Sequence, residues 1–395
     1  MKDVSSAGQI LMITPFLWSG AGKVIVRLLL ELKRHGYECS VISSGRSRGL
    51  ADWPEYVREI RRAGVEYLTI DFFDRDPACL WQSIEQLTHL LEKHRIDLVH
   101  THAGVPAFAA SVCRDRLAQS FGLLTTFHSW NPQRPAWMNV ADVWALNRCD
   151  RVISISRSYQ RELQSLGLDP SRVATISLGI DLPTMRSRES SRRYPFRVLG
   201  LGRIEPRKDQ ETLIRAFAIF HRKYSDTELC IAGPAGDQAY ANSLMSRAHR
   251  YNWDRGVRFL GKVKNPDAWF GKSDLFVSTS TDEGLGLSLL EAMSHGLPAL
   301  CTAVNGHIDY AEDGFNARIF QVGDAETAAN LMRELYLDAG QRSRLGANAR
   351  TTVRRRFSWD QVIQQYLEVY RSLLAKTGKS EILPPIPRSS CRTNR

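Results

Sequence analysis

The 395-residue chain alternates short apolar segments with amphipathic ones in two successive runs, separated by a polar stretch rich in arginine. In the first run Ile10–Pro15, Glu38–Ser43, Tyr67–Ile70, Asp97–His100, Leu123–Phe127 and Arg151–Ile155 read as strands. Helices are expected over Val24–Arg34, over Trp81–Lys93, after Pro135, and over Tyr159–Leu166 with Ser156 as its cap. The second run repeats the pattern. Strands Arg197–Leu201, Glu228–Ala232, Val257–Leu260, Leu275–Ser278 and Ala299–Thr302 alternate with helices Gln210–Lys223, Ala239–Arg247, Leu287–His295 and Ala325–Leu337.

Strands that alternate with helices pair in parallel, so each run predicts a sheet covered by helices on both faces. The expectation is an α/β chain of two doubly wound, Rossmann-like domains facing across a cleft, with the site between them. Residues 1–182 form the first domain, 183–195 a linker carrying Arg186, Arg188, Arg192 and Arg193, and 196–356 the second. An amphipathic helix within 357–376 packs back on the N-terminal domain, and 377–395, rich in Pro, Ser and Arg, forms a disordered tail. Two domains of ~180 residues are also what the length suggests.

Composition narrows the setting. Seven scattered cysteines without a C-x-x-C pair suit a reducing compartment. Met1 to Ser6 lacks a cationic cluster, and Thr14 and Pro15 break the apolar run Ile10–Trp18, which suits a first strand better than a signal peptide. A cytoplasmic protein is expected. The net charge of +11 admits nucleic acid, an anionic membrane face or a phosphate-bearing substrate. Because acids interrupt the basic residues and no reading module accompanies them, nucleic acid is not an expected partner; peripheral contact with the inner face of the cell membrane is.

Two segments of the second run carry chemistry. Gly202-Arg203-Ile204-Glu205-Pro206-Arg207-Lys208 puts cations between a strand end and a helix start, which reads either as a diphosphate cradle or as a solvated basic loop. Farther on, Glu283-Gly284-Leu285-Gly286-Leu287 opens a helix that carries Glu291-Ala292-Met293. Its glycines let backbone amides approach a ligand oxygen. A hydrolytic carboxylate pair would stand ~5–10 Å apart, whereas eight helical residues span ~12 Å. Hydroxyl recognition therefore suits Glu283 and Glu291 better than acid–base work, the alternative being two ordinary exposed glutamates.

In order and spacing these segments resemble the retaining glycosyltransferases of family 4, which have the GT-B fold. So do Ile231-Ala232-Gly233, Phe259-Leu260-Gly261, Gly296-Leu297-Pro298, Gly306, Asp313-Gly314 and Phe357-Ser358-Trp359, and in the first half Gly36, Asp97-Leu98-Val99-His100, Thr126-Phe127-His128, Asp150-Arg151-Val152-Ile153 and Gly179-Ile180-Asp181. The resemblance runs from about Ile10 to Leu374. It implies an acceptor-side first domain, a nucleotide-sugar-binding second domain, and transfer of a hexose-type sugar from a nucleotide-diphosphate sugar to a saccharide or lipid-linked acceptor, as in cell-envelope polysaccharide or glycolipid synthesis. Arg203 and Lys208 would neutralise the diphosphate, Glu291 would hold the ribose, and Glu283 would orient the transferred sugar. Amides of Gly284, Leu285, Gly286 and Leu287 would meet sugar or phosphate oxygens, Val263 would line the base, and His128 would lie at the sugar's edge. Neither a metal nor another cofactor is implied.

Three positions depart from the family pattern: Ser19-Gly20 where two glycines are usual in the first strand-to-helix loop, Asp209 where glycine is common, and Asp309 where glutamate often stands. Gly20 keeps the close backbone approach. Other motifs fit less well. Asp74-Arg75-Asp76 reads as a surface turn rather than a D-x-D metal motif, and His100-Thr101-His102 as a strand-end loop rather than metal ligands. Gly20-Ala21-Gly22-Lys23-Val24-Ile25 lacks the third glycine of a dinucleotide fingerprint. An epimerase or phosphorylase of the same fold, or a non-catalytic nucleotide-sugar-binding protein, is the competing reading. For the acceptor, Trp130, Pro132, Pro135 and Trp137 form either a stacking or membrane-facing lip or ordinary loop packing.

Overall fold

The computed structural model describes residues 7–45, 53–72, 76–117, 120–128, 136–183 and 195–376. Most of the 183–195 stretch, the 377–395 tail, Asp74, Arg75, Trp130, Pro132, Pro135 and the side chain of Trp137 lie outside them.

The first half runs β1 (Gln9–Ile13), α1 (Ser19–Arg34), β2 (Glu38–Ser43), α2 (Trp53–Arg62), β3 (Glu66–Thr69), α3 (Pro77–Lys93), β4 (Leu98–Thr101), α4 (Gly104–Arg116), β5 (Gly122–Phe127), α5 (Ala136–Arg148), β6 (Arg151–Ser154), α6 (Arg157–Ser165) and β7 (Val173–Thr175). Its strands pair in parallel in the order β3-β2-β1-β4-β5-β6-β7. The second half runs β8 (Phe196–Leu201), α7 (Gln210–His221), β9 (Thr227–Ala232), α8 (Gln238–Arg250), β10 (Val257–Gly261), α9 (Pro266–Lys272), β11 (Leu275–Ser278), α10 (Leu287–Ser294), β12 (Ala299–Thr302), β13 (Arg318–Phe320), α11 (Ala325–Leu337) and α12 (Ala339–Arg356), followed by α13 (Trp359–Lys376). This second parallel sheet is ordered β10-β9-β8-β11-β12-β13.

Central strands β4, β5, β9, β11 and β12 are buried at every residue, as sheets covered on both faces require. Elements absent from the sequence reading have physical reasons for being silent. Helix α4 is built of small residues and buries Gly104, Pro106, Ala107, Ala109, Ala110, Ser111 and Cys113, so it shows no polar stripe. Helix α12 is mostly polar and buries only Leu345, Gly346, Ala349 and Val353. Edge strands β7 and β13 are three residues each, too short for an alternation to register.

Helix α13 belongs spatially to the first half, lying against β4 and β5. Trp359, Val362, Ile363, Tyr366, Leu367, Tyr370, Leu373 and Leu374 recur at helical spacing and are buried. At about 1.5–3 kcal/mol for each large apolar side chain, that stripe outweighs any hydrogen bond at the helix start. The two passages between halves run side by side, with the Ile180 amide donating to Phe357 O at 2.6 Å. A Cβ on Gly179 would come within 2.4 Å of the Trp359 ring, so only glycine fits there.

Candidate active site in the interdomain cleft

Doubly wound sheets open a crevice at the carboxyl ends of the strands where the order reverses. In the first sheet that point lies between β1 and β4, in the second between β8 and β11. The segments following these strands are Thr14 to Gly20, His102 and Ala103, Gly202 to Lys208, and Thr279 to Gly286, and the two crevices face each other.

Contact across the cleft is tight. A Cβ on Gly284 would sit 2.4 Å from His128 O, and within the second half one on Gly306, whose φ is +83°, would sit 2.6 Å from Glu283 O. Polar pairs frame this contact. Lys23 Nζ meets Glu291 Oε1 at 2.8 Å, and the Ser158 amide and hydroxyl donate to Asp309 at 3.0 and 2.7 Å. Ser158 is in the first turn of α6, where a carboxylate complements the helix dipole. Asp309 thus acts as an interdomain tie, a role a shorter acid fills well.

Two helix starts at the cleft differ from the rest. Asp76, Ser156, Asp209, Asp237, Asn265, Asp324 and Asp338 each cap a helix through the side chain. By contrast α1, preceded by Trp18, and α10, preceded by Gly286 at φ +79°, have no side-chain cap. Their first amides lack intrahelical acceptors and carry the positive end of the dipole. The two starts also adjoin, since a Cβ on Gly20 would meet Leu287 Cδ1 at 2.9 Å. Gly20 lies inside the first turn of α1 rather than in a loop, which corrects the sequence reading: Ser19 to Lys23 carry no apolar period by which the helix start could be seen. Helix α4 is likewise without a local cap, but Asp142 Oδ1 would stand 1.8 Å from a Cβ on Gly104, so a carboxylate of α5 already meets it.

The charged groups are concentrated in the second half. Lys208 Nζ donates to Glu283 Oε1, which also accepts from Ser280 Oγ at 2.8 Å. Burial works to raise the Glu283 pKa, but Lys208, His307 and these hydrogen bonds outweigh it and hold the carboxyl down at about 2. Glu283 is an anion with only 5% of its surface exposed, not an ordinary solvated glutamate. Arg203 reaches Glu205 at 3.1 Å. Asp209 takes φ +44° and accepts from the Thr212 amide and hydroxyl as the cap of α7. A short polar side chain tolerates that left-handed conformation, which explains how aspartate replaces glycine there.

The first half presents imidazoles instead. His102 Nδ1 and His128 Nε2 are 3.0 Å apart, and His100 bonds Tyr370 Oη at 2.6 Å and Thr126 Oγ1 at 2.8 Å. Burial pushes His100 down to about 3 and His128 to about 4, and takes His102 well below its usual value. His100-Thr101-His102 is therefore not a strand-end loop. His100 and Thr101 close β4, and all three residues are buried.

The structure brings Gly20, His128, Arg203, Lys208, Glu283, Gly284, Leu285, Gly286, Leu287 and Glu291 to the two crevices and the contact between them. Val263 follows β10, the sheet edge, two strands from β8, and is partly buried against the core. Three residues escaped the sequence reading as site components. Lys23 stands in a motif whose sequence signal is its glycines, and His102 stands in a segment that reads as loop. His307 is buried, donates through Nδ1 to Thr302 O at 3.1 Å, and leaves Nε2 without a partner among the described residues. No sequence pattern singled it out. Among the described residues no three His, Cys, Asp or Glu side chains group as metal ligands would, and no helix is long and apolar enough to cross a membrane.

Two parallel-sheet domains meeting at one charged cleft define the GT-B class of protein. Within that class, the profile described as Glycosyltransferase Family 4 matches residues 18–183, and that described as Glycosyl transferases group 1 matches residues 183–352. The chain belongs to this glycosyltransferase family. It is 24% identical to N-acetyl-alpha-D-glucosaminyl L-malate synthase of Bacillus anthracis over 377 residues, covering 91% of this chain and 96% of that one. It is 28% identical to phosphatidyl-myo-inositol mannosyltransferase of Propionibacterium freudenreichii over 299 residues, covering 71% of each. In fold it is similar to HepE of Anabaena, solved with UDP and glucose, at a TM-score of 0.80 and 20% identity, covering 93% of this chain and all of that one.

Proposed function

We propose that this glycosyltransferase moves a hexose-type sugar, with retention of configuration, from a nucleotide-diphosphate sugar to a glycan or lipid-linked acceptor in cell-envelope polysaccharide or glycolipid synthesis. The observation that carries the reading is that Arg203 and Lys208 follow β8 into the cleft where the uncapped starts of α1, from the first half, and α10, from the second, adjoin. Fixed cations and free amides together are what a diphosphate leaving group needs as charge develops on it. Arg203 and Lys208 take that role without a metal. Glu291 accepts the ribose hydroxyls once Lys23 yields, Glu283 orients the transferred sugar, and His128 faces its edge from the other half.

Fold likeness to a protein solved with UDP and glucose supports a nucleoside-diphosphate donor and puts UDP first among those to try. Similarity to a phosphatidyl-inositol mannosyltransferase, together with the +11 charge, supports a lipid-linked acceptor reached at the inner face of the membrane.

The test is a thermal-shift screen against UDP, GDP, ADP, their common sugar conjugates and NAD, with Glu291→Ala in parallel, because a ligand that binds only the native state raises apparent stability. Stabilisation by one nucleoside diphosphate that is lost in the variant supports the donor site. Stabilisation by NAD alone, or by none of these ligands, overturns it. Flotation with anionic liposomes tests the membrane contact: protein that stays in the soluble fraction at low salt counts against it.

A further inference from the structure

Two imidazoles on adjacent strand ends, His102 buried and His128 partly buried, leave buried nitrogens unaccounted for. His102 follows β4 and His128 follows β5, and these strands are paired in register, Thr101 beside Thr125. Both rings are neutral, since burial holds each below its usual pKa. A neutral imidazole has one N–H and one lone pair. The contact between His102 Nδ1 and His128 Nε2 at 3.0 Å uses one N–H and one lone pair. One donor and one acceptor are left over, on the remaining nitrogens His102 Nε2 and His128 Nδ1, both of them buried. Neither has a partner among the described residues.

The two tautomeric arrangements are linked. If His102 Nδ1 donates, His128 carries its proton on Nδ1 and offers a donor there. If His128 Nε2 donates, His128 Nδ1 is an acceptor. The state of His102 therefore fixes what His128 offers to a ligand. His102 is itself held on its other side: its ring lies against that of His100, with centroids 4.3 Å apart, and His100 is tied to Tyr370 of α13 and to Thr126. The chain Tyr370, His100, His102, His128 ends where the His128 carbonyl meets Gly284 of the opposite half.

We infer that His102 is a positioning residue of the transfer reaction, which sets the ring orientation and tautomer of His128 so that Nδ1 addresses a hydroxyl of the sugar or acceptor. A hydroxyl both donates and accepts, so it complements either arrangement. The inference rests on the proposed placement of His128 beside the transferred sugar.

The experiment compares His102→Asn, which keeps a hydrogen-bonding atom near the place of Nδ1, with His102→Phe, which keeps a ring without one, and with His128→Ala. Steady-state kinetics use the donor identified by the screen, and nucleoside diphosphate binding serves as the check on folding. The expected result is a fall in kcat of ~10²-fold for His102→Phe with diphosphate affinity unchanged, and recovery of most of that loss in His102→Asn, since misplacing a reacting group by about 1 Å costs that much. Wild-type kcat in His102→Phe, or equal losses in Asn and Phe, overturns the inference while leaving the donor site intact. Wild-type kcat in His128→Ala overturns the placement of His128 itself. If His102→Phe fails to bind the diphosphate, Tyr370→Phe, which removes only the tie to His100, replaces it: a lower kcat with normal binding supports the chain, and an unchanged kcat overturns it.

Discussion

The two halves of this molecule share one architecture and bring opposite chemistry to the cleft. Beyond β8 and β11 the second half places ions: Lys208 against the buried Glu283, and Arg203 against Glu205 on the same segment after β8. At the ends of β4 and β5 the first half places His100, His102 and His128, which burial keeps uncharged. A buried ion pair gains from attraction in a low-dielectric site only when both partners stay, whereas neutral imidazoles gain only by hydrogen bonding. The contrast shows a division of labour on a duplicated fold, with fixed charge on the side that takes a charged donor and uncharged donors and acceptors on the side that faces hydroxyls.

The largest effect expected from breaking the contrast is on the charged side. Lys208→Ala leaves Glu283 buried without its cation, and removing one partner of a buried pair costs about 3–5 kcal/mol. Loss of electrostatic stabilisation at the leaving group should lower kcat by ~10²–10³-fold. Chemical denaturation and single-turnover kinetics check the two effects separately. Pairing Lys208→Met with Glu283→Gln should restore most of the stability and none of the activity. Arg203→Ala, whose guanidinium is more exposed, should lower kcat with a smaller loss of stability, and a wild-type rate there would remove Arg203 from the site.

Next in size is a variant at the contact between the two sides. Gly284→Ala puts a Cβ 2.4 Å from His128 O, so the halves must part slightly. A displacement of about 1 Å between groups on opposite halves should cost ~10²-fold in kcat while nucleoside diphosphate binding by the second half persists. Small-angle scattering and calorimetry can follow both, and unchanged turnover would show that the close approach is not needed.

Acid should separate the halves as well. A histidine whose folded pKa lies below its unfolded value of about 6.5 lets the unfolded chain bind the extra proton, so stability falls as pH drops below about 6.5. For His100 and His128 that loss continues until about 3 and 4, at up to ~1.4 kcal/mol per pH unit for each group. Glu283 is shifted in the same direction but titrates lower, so its contribution is lost only as pH falls from the usual carboxylate range through about 2. Hydrogen exchange at pH 7 and pH 5 should show protection falling in β4 and β5 more than in β8 and β11. Equal loss in both sheets would remove the distinction.

How much of this was legible in the sequence follows from how locally each feature is encoded. The parallel sheets were readable because buried strands are continuous apolar runs, and the acidic and glycine-rich segment was readable because its residues are adjacent in the chain. Helix α4, a buried helix of small residues, gave no periodic signal. The tie between Asp309 and Ser158, 151 positions apart, and the pairing of His102 with His128 across β4 and β5 depend on register, which one sequence does not display. The first turn of α1 was missed for a third reason, that a turn of small and polar residues resembles a loop until a neighbouring helix start is set against it.

The smallest effect should come from Lys23→Gln. Its ion pair with Glu291 is half exposed on the lysine side, at 52%, and pairs of that kind contribute about 0.2–1 kcal/mol. A shift in melting temperature of a few degrees or less is expected, fading at high salt. A larger loss would mean that the halves are held together mainly there.

The division between the halves is tested most directly by calorimetric titration of UDP, GDP and ADP into the wild-type protein, Lys208→Met paired with Glu283→Gln, and His128→Ala. The expected result is that one nucleoside diphosphate binds the wild type and His128→Ala with equal affinity and the double variant at least tenfold more weakly. Equal weakening in His128→Ala and the double variant, or undiminished binding in the double variant, would contradict the assignment of the donor's charge to the second half.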